Sequence, residues 1–278
     1  AAAAGEGKAA VIRALVPALR SLVAAELGAA AAGRLGRVEA MFERMARQEV
    51  HTEEDEERGR RYAPGFVEGL SPSTPFHDER ALPWCQELKQ HWREIRDELH
   101  RHLEEAGVWV PGAYAASNTA YAPEWKISGV LTADRWSERW AATRAIVRRL
   151  PGVLPFEVFF ARMPPHTKIA AHSDNLNYVL TSHLALELEA GMCSIVVGSA
   201  EREWEEGEVL VFDTTYMHSA YNDSGRNRYV LVLRFWHPGL TAEERRAIHL
   251  SHTLLAGTPD PDKMSGGAGK STMSMTDD

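Results

Sequence analysis

Cysteine is almost absent, with Cys85 and Cys193 the only two in 278 residues. Two thiols supply neither a disulfide framework nor a cysteine metal site, so a reducing compartment is the default expectation. Positive charge is in deficit as well: 31 Lys and Arg stand against 39 Asp and Glu, for a net charge of −8. That balance leaves no electrostatic footprint for nucleic acid or for an anionic membrane surface. No apolar run approaches the roughly 18 residues that a bilayer-spanning helix needs, so no membrane segment is predicted. No internal repeat is found. A soluble, cytoplasmic protein is the resulting expectation. The alanine-rich start without an initiator methionine fits a processed organellar precursor and a trimmed chain equally well.

What is present is enough apolar content, 44%, for one substantial core. Three parts are expected: an N-terminal helical segment at 1–60, a β domain with packed helices at 61–257, and a disordered tail at 258–278. In the first part Val11, Ile12, Leu15, Leu19, Leu22, Val23 and Leu27 recur at helical spacing, with Pro17 expected to split or start a helix. Residues 52–64 read as a charged connector and the following stretch to about 80 as coil. Leu88, Trp92, Ile95, Leu99 and Leu103 mark one face of a helix over 82–107, stopped by Gly107. A strand at 125–131, a helix at 137–150 and strands at 156–163, 178–188, 193–198, 208–213 and 228–236 follow, and Thr241-Ala242-Glu243-Glu244 is a capping box opening a last helix. This succession predicts a mainly β fold with flanking helices, an antiparallel barrel or sandwich. Gly266-Gly267-Ala268-Gly269-Lys270-Ser271 invites a phosphate-loop reading, but Met264 stands where the first glycine belongs and no strand precedes it, so the motif is rejected.

The chemistry concentrates between His172 and Arg228. If 170–175 is extended, His172 and Asp174 point to one face and reach one ion. His218, after the run Val209-Leu210-Val211-Phe212-Asp213, completes a two-histidine, one-carboxylate set. Such a set covers one face of an octahedral ferrous ion and leaves the other open for a co-substrate and dioxygen. Asn222-Asp223-Ser224-Gly225 is a turn signal, so Arg228 returns to the sheet end that carries His218. A guanidinium there can pair two-pronged with the carboxylate of a keto acid. Arg234, of the same parity on that strand, is the competing candidate.

Pro164-Pro165-His166-Thr167-Lys168-Ile169, the His172 motif, His183-Leu184-Ala185-Leu186, Trp204 to Asp213, and Arg228 to Trp236-His237-Pro238 together resemble the aspartyl/asparaginyl β-hydroxylase family. The resemblance covers about residues 120–240. It implies a double-stranded β-helix (jelly-roll, cupin-like) core and the use of Fe(II), 2-oxoglutarate and O2. Carried over by position, it implies His172 and His218 as iron ligands, Arg228 as partner of the distal 2-oxoglutarate carboxylate, and His183 as a contact to the cofactor's metal-binding end. Two positions depart from the family. Animal members carry glycine where this chain has Asp174, whose ligand role therefore rests on chemistry alone. An arginine often found two residues before the cofactor-contacting histidine is Thr181 here.

The expected activity is hydroxylation of a C–H bond in an amino acid, a peptidyl Asp or Asn, or a small metabolite, with release of succinate and CO2. Asp174 disfavours halogenation, because it leaves no vacant ligand position for a halide; desaturation and ring closure stay open. A zinc hydrolase using the same three ligands is an alternative, although Arg228 would then hold nothing. A barrel that binds a partner without catalysis is another. Loops 64–80 and 108–124 with Asn175, Asn177 and Arg162 are candidate substrate contacts, while His166 and the Trp236-His237 pair read as surface and packing residues. The oligomeric state is left open.

Overall fold

Two antiparallel sheets face each other, and the chain crosses between them almost strand by strand. A computed structural model describes residues 2–112, 120 and 124–257. In chain order the elements are α1 (Ala2–Leu27), α2 (Ala29–Ala32), α3 (Gly36–Ala46), β1 (His51–Asp55), β2 (Gly59–Ala63), β3 (Phe76–His77), α4 (Pro83–Gln90), α5 (Trp92–His102), β4 (Val110–Pro111), β5 (Lys126–Thr132) and β6 (Arg135–Trp136). Then come α6 (Ala141–Arg149), β7 (Pro155–Met163), β8 (Thr167–His172), β9 (Val179–Glu187), β10 (Cys193–Val197), β11 (Ala200–Glu203), β12 (Val209–Phe212), β13 (His218–Asn222), β14 (Arg228–Trp236) and α7 (Ala242–Gly257).

The larger sheet runs β3-β12-β9-β14-β7-β5-β4 and the smaller β11-β10-β13-β8. From β7 onward the chain alternates large, small, large, then small for the β10–β11 hairpin, then large, small, large. That order is the double-stranded β-helix, two interleaved antiparallel turns closing on a shared interior. Residue parity builds the core on both sides of the larger sheet. On β14 the odd positions Leu231, Leu233 and Phe235 join Trp84, Leu88, Ile95, Leu99 and Trp140 in the layer under α4–α6. The even positions Val230 and Val232 face inward with Phe159, Ala185, Ile195 and Phe212. A separate apolar layer joins α1, α3 and α7 through Leu15, Leu19, Val23, Val38 and Ile248 to Val67, Leu70 and Val179 of the barrel end.

Several expectations change. α1 runs unbroken through Pro17, because Leu15, Leu19 and Val23 pack on either side of it, which outweighs a helical proline's cost of about 3 kcal/mol. The helix expected over 82–107 divides at His91, where φ and ψ leave the helical range (−98°, 7°). The charged connector is in fact the β1–β2 hairpin, in which Glu53 lies opposite Arg61 and Glu54 opposite Arg60. Opposite charges facing each other across a ladder stabilise it, so high charge does not mean coil here. β8 stops at His172, and Asp174 lies beyond it on a loop. β8 also carries an irregularity: Ala220 pairs with Ile169 but His218 with His172, so β8 spends one more residue than β13 over the same span. The tail at 258–278 and most of the 108–124 loop lie outside the described residues.

Candidate metal centre

His172 ends β8 and His218 begins β13, directly opposite each other, with ring centroids 4.2 Å apart. Both rings are oriented by backbone carbonyls two residues back in sequence. His172 Nδ1 bonds Ala170 O at 2.8 Å, and His218 Nδ1 bonds Tyr216 O at 3.0 Å. Each carbonyl can only accept, so Nδ1 carries the proton and Nε2 keeps its lone pair for a metal. Asp174, off the strand, is returned to the same point by its N–H, which donates to Thr214 O at 2.9 Å. Its Oδ1 lies 3.7 Å from His172 Nε2. One ligand atom from each of His172, Asp174 and His218 falls within 4.8 Å of the others, the spacing of a mononuclear site.

The electrostatics suit a cation. Burial pushes His218 down to about 4, helped by His172 and opposed by Asp174, so the ring is neutral at physiological pH. Burial alone would raise Asp174, but His218, Arg234 and His172 outweigh it and hold the carboxylate below its usual range. A neutral His218 and an ionised Asp174 are protonation states that divalent metal binding requires.

Arg228 does not return to the sheet that carries His218: it opens β14 of the larger sheet, whereas His218 begins β13 of the smaller, and the two meet across the interior, where Arg228 is 1% exposed and lines the same cavity as the three candidate ligands. Its Nε and Nη1 have no hydrogen-bond partner among the described residues. The guanidinium is stacked over Trp204 at 4.3 Å, and burial pushes it down to about 10, still cationic. A buried cation with unsatisfied donors calls for an anion in the cavity. His183 sits beside it on β9, stacked on Trp204 at 5.8 Å, its Nδ1 likewise without a partner among the described residues. Burial, then Arg228, hold His183 well below the ordinary histidine range. Trp204 thus backs both groups.

The family pattern described as Aspartyl/Asparaginyl beta-hydroxylase matches residues 89–238, more than half of the chain. The chain belongs to that family. Human aspartyl/asparaginyl beta-hydroxylase is 26% identical over 188 residues, which cover 61% of this chain and 24% of that protein. The ornithine lipid ester-linked acyl 2-hydroxylase of Rhizobium tropici is 28% identical over 177 residues, covering 59% and 61%. The chain spans about a quarter of the length of the human and mouse hydroxylases it matches. Among solved structures, a prolyl-4-hydroxylase of Pseudomonas putida matches with a TM-score of 0.39 and 19% identity over 54% of this chain and 87% of that one.

Other positions resolve differently within this family member. Arg234 lines the cavity at the Asp174 end, opposite Thr181 of β9, with Nη2 4.0 Å from Asp174 Oδ2 and Nη1 3.5 Å from Glu157 Oε2. A guanidinium therefore stands on the strand next to the one where other family members often place theirs. Arg162 stacks on Trp109 at 5.4 Å and does not line the cavity. Asn177 spends its amide on both backbone groups of Val67. No described helix is long and apolar enough to cross a membrane.

Proposed function

We propose that this chain is an Fe(II)- and 2-oxoglutarate-dependent hydroxylase, acting on a C–H bond of an amino acid, a peptidyl Asp or Asn, or a small metabolite. The observation that carries this reading is Arg228, a buried guanidinium whose Nε and Nη1 have no partner among the described residues, in the same cavity as the His172, Asp174 and His218 cluster. A hydrolytic zinc site would need the three ligands but would leave that cation with nothing to hold. The donor set fits a ferrous ion, and the free guanidinium edge fits a dicarboxylate.

When bound, the iron and the keto acid supply O2 activation and insertion of oxygen into a C–H bond, with succinate and CO2 released. The chain's own groups do the rest. His172 and His218 offer Nε2 because their Nδ1 protons are tied to carbonyls, and Asp174 offers Oδ1 and the balancing charge. Arg228 pairs with the distal carboxylate and is held in plane by Trp204. His183, held neutral by burial, would offer its ring to the cofactor's metal-binding end without adding charge beside Arg228. Phe212, Ile195 and Val232 line the cavity and keep water from it. The human and Rhizobium relatives are named for different substrates, an amino acid side chain and a lipid acyl group, so membership leaves several substrate classes open.

Purified protein loaded anaerobically with Fe(II) is expected to bind one equivalent and to release succinate from 2-oxoglutarate when O2 is admitted. Absence of both in the parent, or their persistence in His218→Ala, refutes the assignment.

A further inference from the structure

Residues 58–67 fall outside the family-matched span 89–238, yet they run between the loop that carries Asp174 and the loop that leads into His218. On one side, Tyr62 N–H donates to Thr215 O and Met217 N–H to Arg60 O, both at 2.9 Å, which fixes the loop leading into His218. On the other, Gly65 N–H donates to Asn175 O at 3.0 Å, Asn177 N–H to Gly65 O at 3.2 Å, and Ser173 Oγ to Tyr62 O at 2.6 Å, which fixes the loop carrying Asp174. One strap thus joins the chain on both sides of the ligand set.

Arg61 anchors the strap. It is 4% exposed, and each nitrogen of its guanidinium has a partner: Nη2 to Asp213 Oδ2 at 2.6 Å, Nε to Thr215 Oγ1 at 2.7 Å and Nη1 to Ser73 Oγ at 2.6 Å. Its guanidinium lies 5.1 Å over the ring of Tyr216, the residue whose carbonyl holds His218 Nδ1. Asp213 in turn accepts from Thr215 N–H and Oγ. The hairpin tip is seated just as closely: a side chain at Gly198 would meet Arg58 O at 1.9 Å, and one at Gly59 would meet the 198–199 backbone at 2.6 Å. Backbone meets backbone there, so only glycine fits.

We propose that the 58–67 strap is a working part of the metal centre, with Arg61 the positioning residue that holds the 213–217 and 173–177 loops at ligand distance. The proposal rests on the metal-site reading above. It follows that the family-matched segment alone does not make a tight site.

The test uses the whole chain and Mn(II), a redox-stable probe, with affinity read by electron paramagnetic resonance and loop opening by hydrogen exchange. Arg61→Met is expected to weaken Mn(II) binding about tenfold or more, the range found when groups supporting a ligand are removed. Exchange should rise at 173–177 and 213–217 while β9 and β14 stay protected. Arg61→Lys should recover part of the affinity, because it keeps the charge without the fork. Mn(II) affinity within twofold of the parent, or exchange that rises uniformly along the chain, overturns the proposal. If Arg61→Met does not fold, Ser173→Ala decides, since it removes one strap contact: weaker Mn(II) binding supports the proposal and unchanged binding overturns it. A parent that binds no Mn(II) refutes the metal reading itself, whereas a parent and strap variants that bind equally refute the strap alone.

Discussion

Arg228→Met separates a ligand-binding arginine from a structural one, because the two roles predict opposite signs for stability. Methionine keeps most of the side chain's length and removes the charge. Arg228 is 1% exposed with Nε and Nη1 unpaired among the described residues, and burial pushes it well below the usual arginine value, to about 10. At about 1.4 kcal/mol per unit, holding the charge there costs on the order of 3 kcal/mol. Stacking on Trp204 returns about 1 kcal/mol. Ligand-free Arg228→Met is therefore expected to match the parent's resistance to urea or exceed it. The keto-acid complex reverses the sign. Removing one partner of a buried, two-pronged ion pair costs about 3 to 5 kcal/mol, and at about 1.4 kcal/mol per factor of ten this weakens 2-oxoglutarate binding by roughly two orders of magnitude or more. Isothermal titration of 2-oxoglutarate into Mn(II)-loaded protein measures the affinity, and urea denaturation of the metal-free protein measures stability. Affinity within threefold of the parent, or ligand-free protein destabilised by several kcal/mol, refutes the assignment. Arg228→Lys should recover only part of the binding, for want of a planar fork.

His218→Ala should abolish metal binding and turnover while leaving far-UV circular dichroism unchanged; 2-oxoglutarate turnover at the parent's rate would remove His218 from the ligand set. Asp174→Gly, the residue found in animal members of the family, should weaken Fe(II) binding and slow turnover about tenfold or more, and unchanged Fe(II) affinity would show that the carboxylate does not touch the metal. Arg234→Met should weaken metal binding in the parent but not in an Asp174→Gly background, since Arg234 reaches the site through Asp174 Oδ2; a collapse of 2-oxoglutarate affinity instead would move the keto-acid role from Arg228 to Arg234. His77, outside the cavity of the candidate ligands, gives a pH prediction: burial, then His237 and Arg61, depress it from 6.5 to about 4, so the folded state prefers it neutral. Its contribution is complete above about pH 6.5 and lost as pH falls towards 4, up to about 3 kcal/mol. His77→Phe should flatten that limb of the urea midpoint against pH, and an unaltered limb would contradict the assignment.

Much of the site was legible because its groups lie on or beside regular strands, where parity and turn signals carry direction. Arg228 opens a strand as the turn signal implies, though on the other sheet from His218; His218 begins a strand, 218–222, that the pattern did not show, and His183 was placed by the family motifs alone, while the strand order is the double-stranded β-helix expected from those motifs. Asp174 reaches the predicted point by a different route, from a loop pinned to Thr214 rather than along an extended strand. The strap was not legible. Its strongest contacts span more than a hundred residues, Arg61 to Asp213 and Ser173 to Tyr62, and its composition reads as solvated charge. Arg162 misled for a related reason: proximity in sequence to the metal motif says nothing about which side of a sheet a residue faces. Arg234 was visible by parity, but its pairing with Glu157 and Asp174 depends on neighbours on other elements.

The extra residue in β8 sits in the short interval that also fixes the tautomer of His172. Ile169 and His172 are three apart, a spacing that a regular strand would send to opposite faces, yet both line the cavity because the ladder absorbs one residue between them. Ala170 lies within that interval, its N–H donating to Ala120 O and its carbonyl accepting from His172 Nδ1. Shortening the interval by one residue would keep His172 facing inward, at the ordinary spacing of two. It would also change which carbonyl lies two residues behind His172, so the interval that absorbs the misfit between neighbouring strands is the one that holds the imidazole's Nδ1 proton and leaves the other nitrogen's lone pair to the cavity.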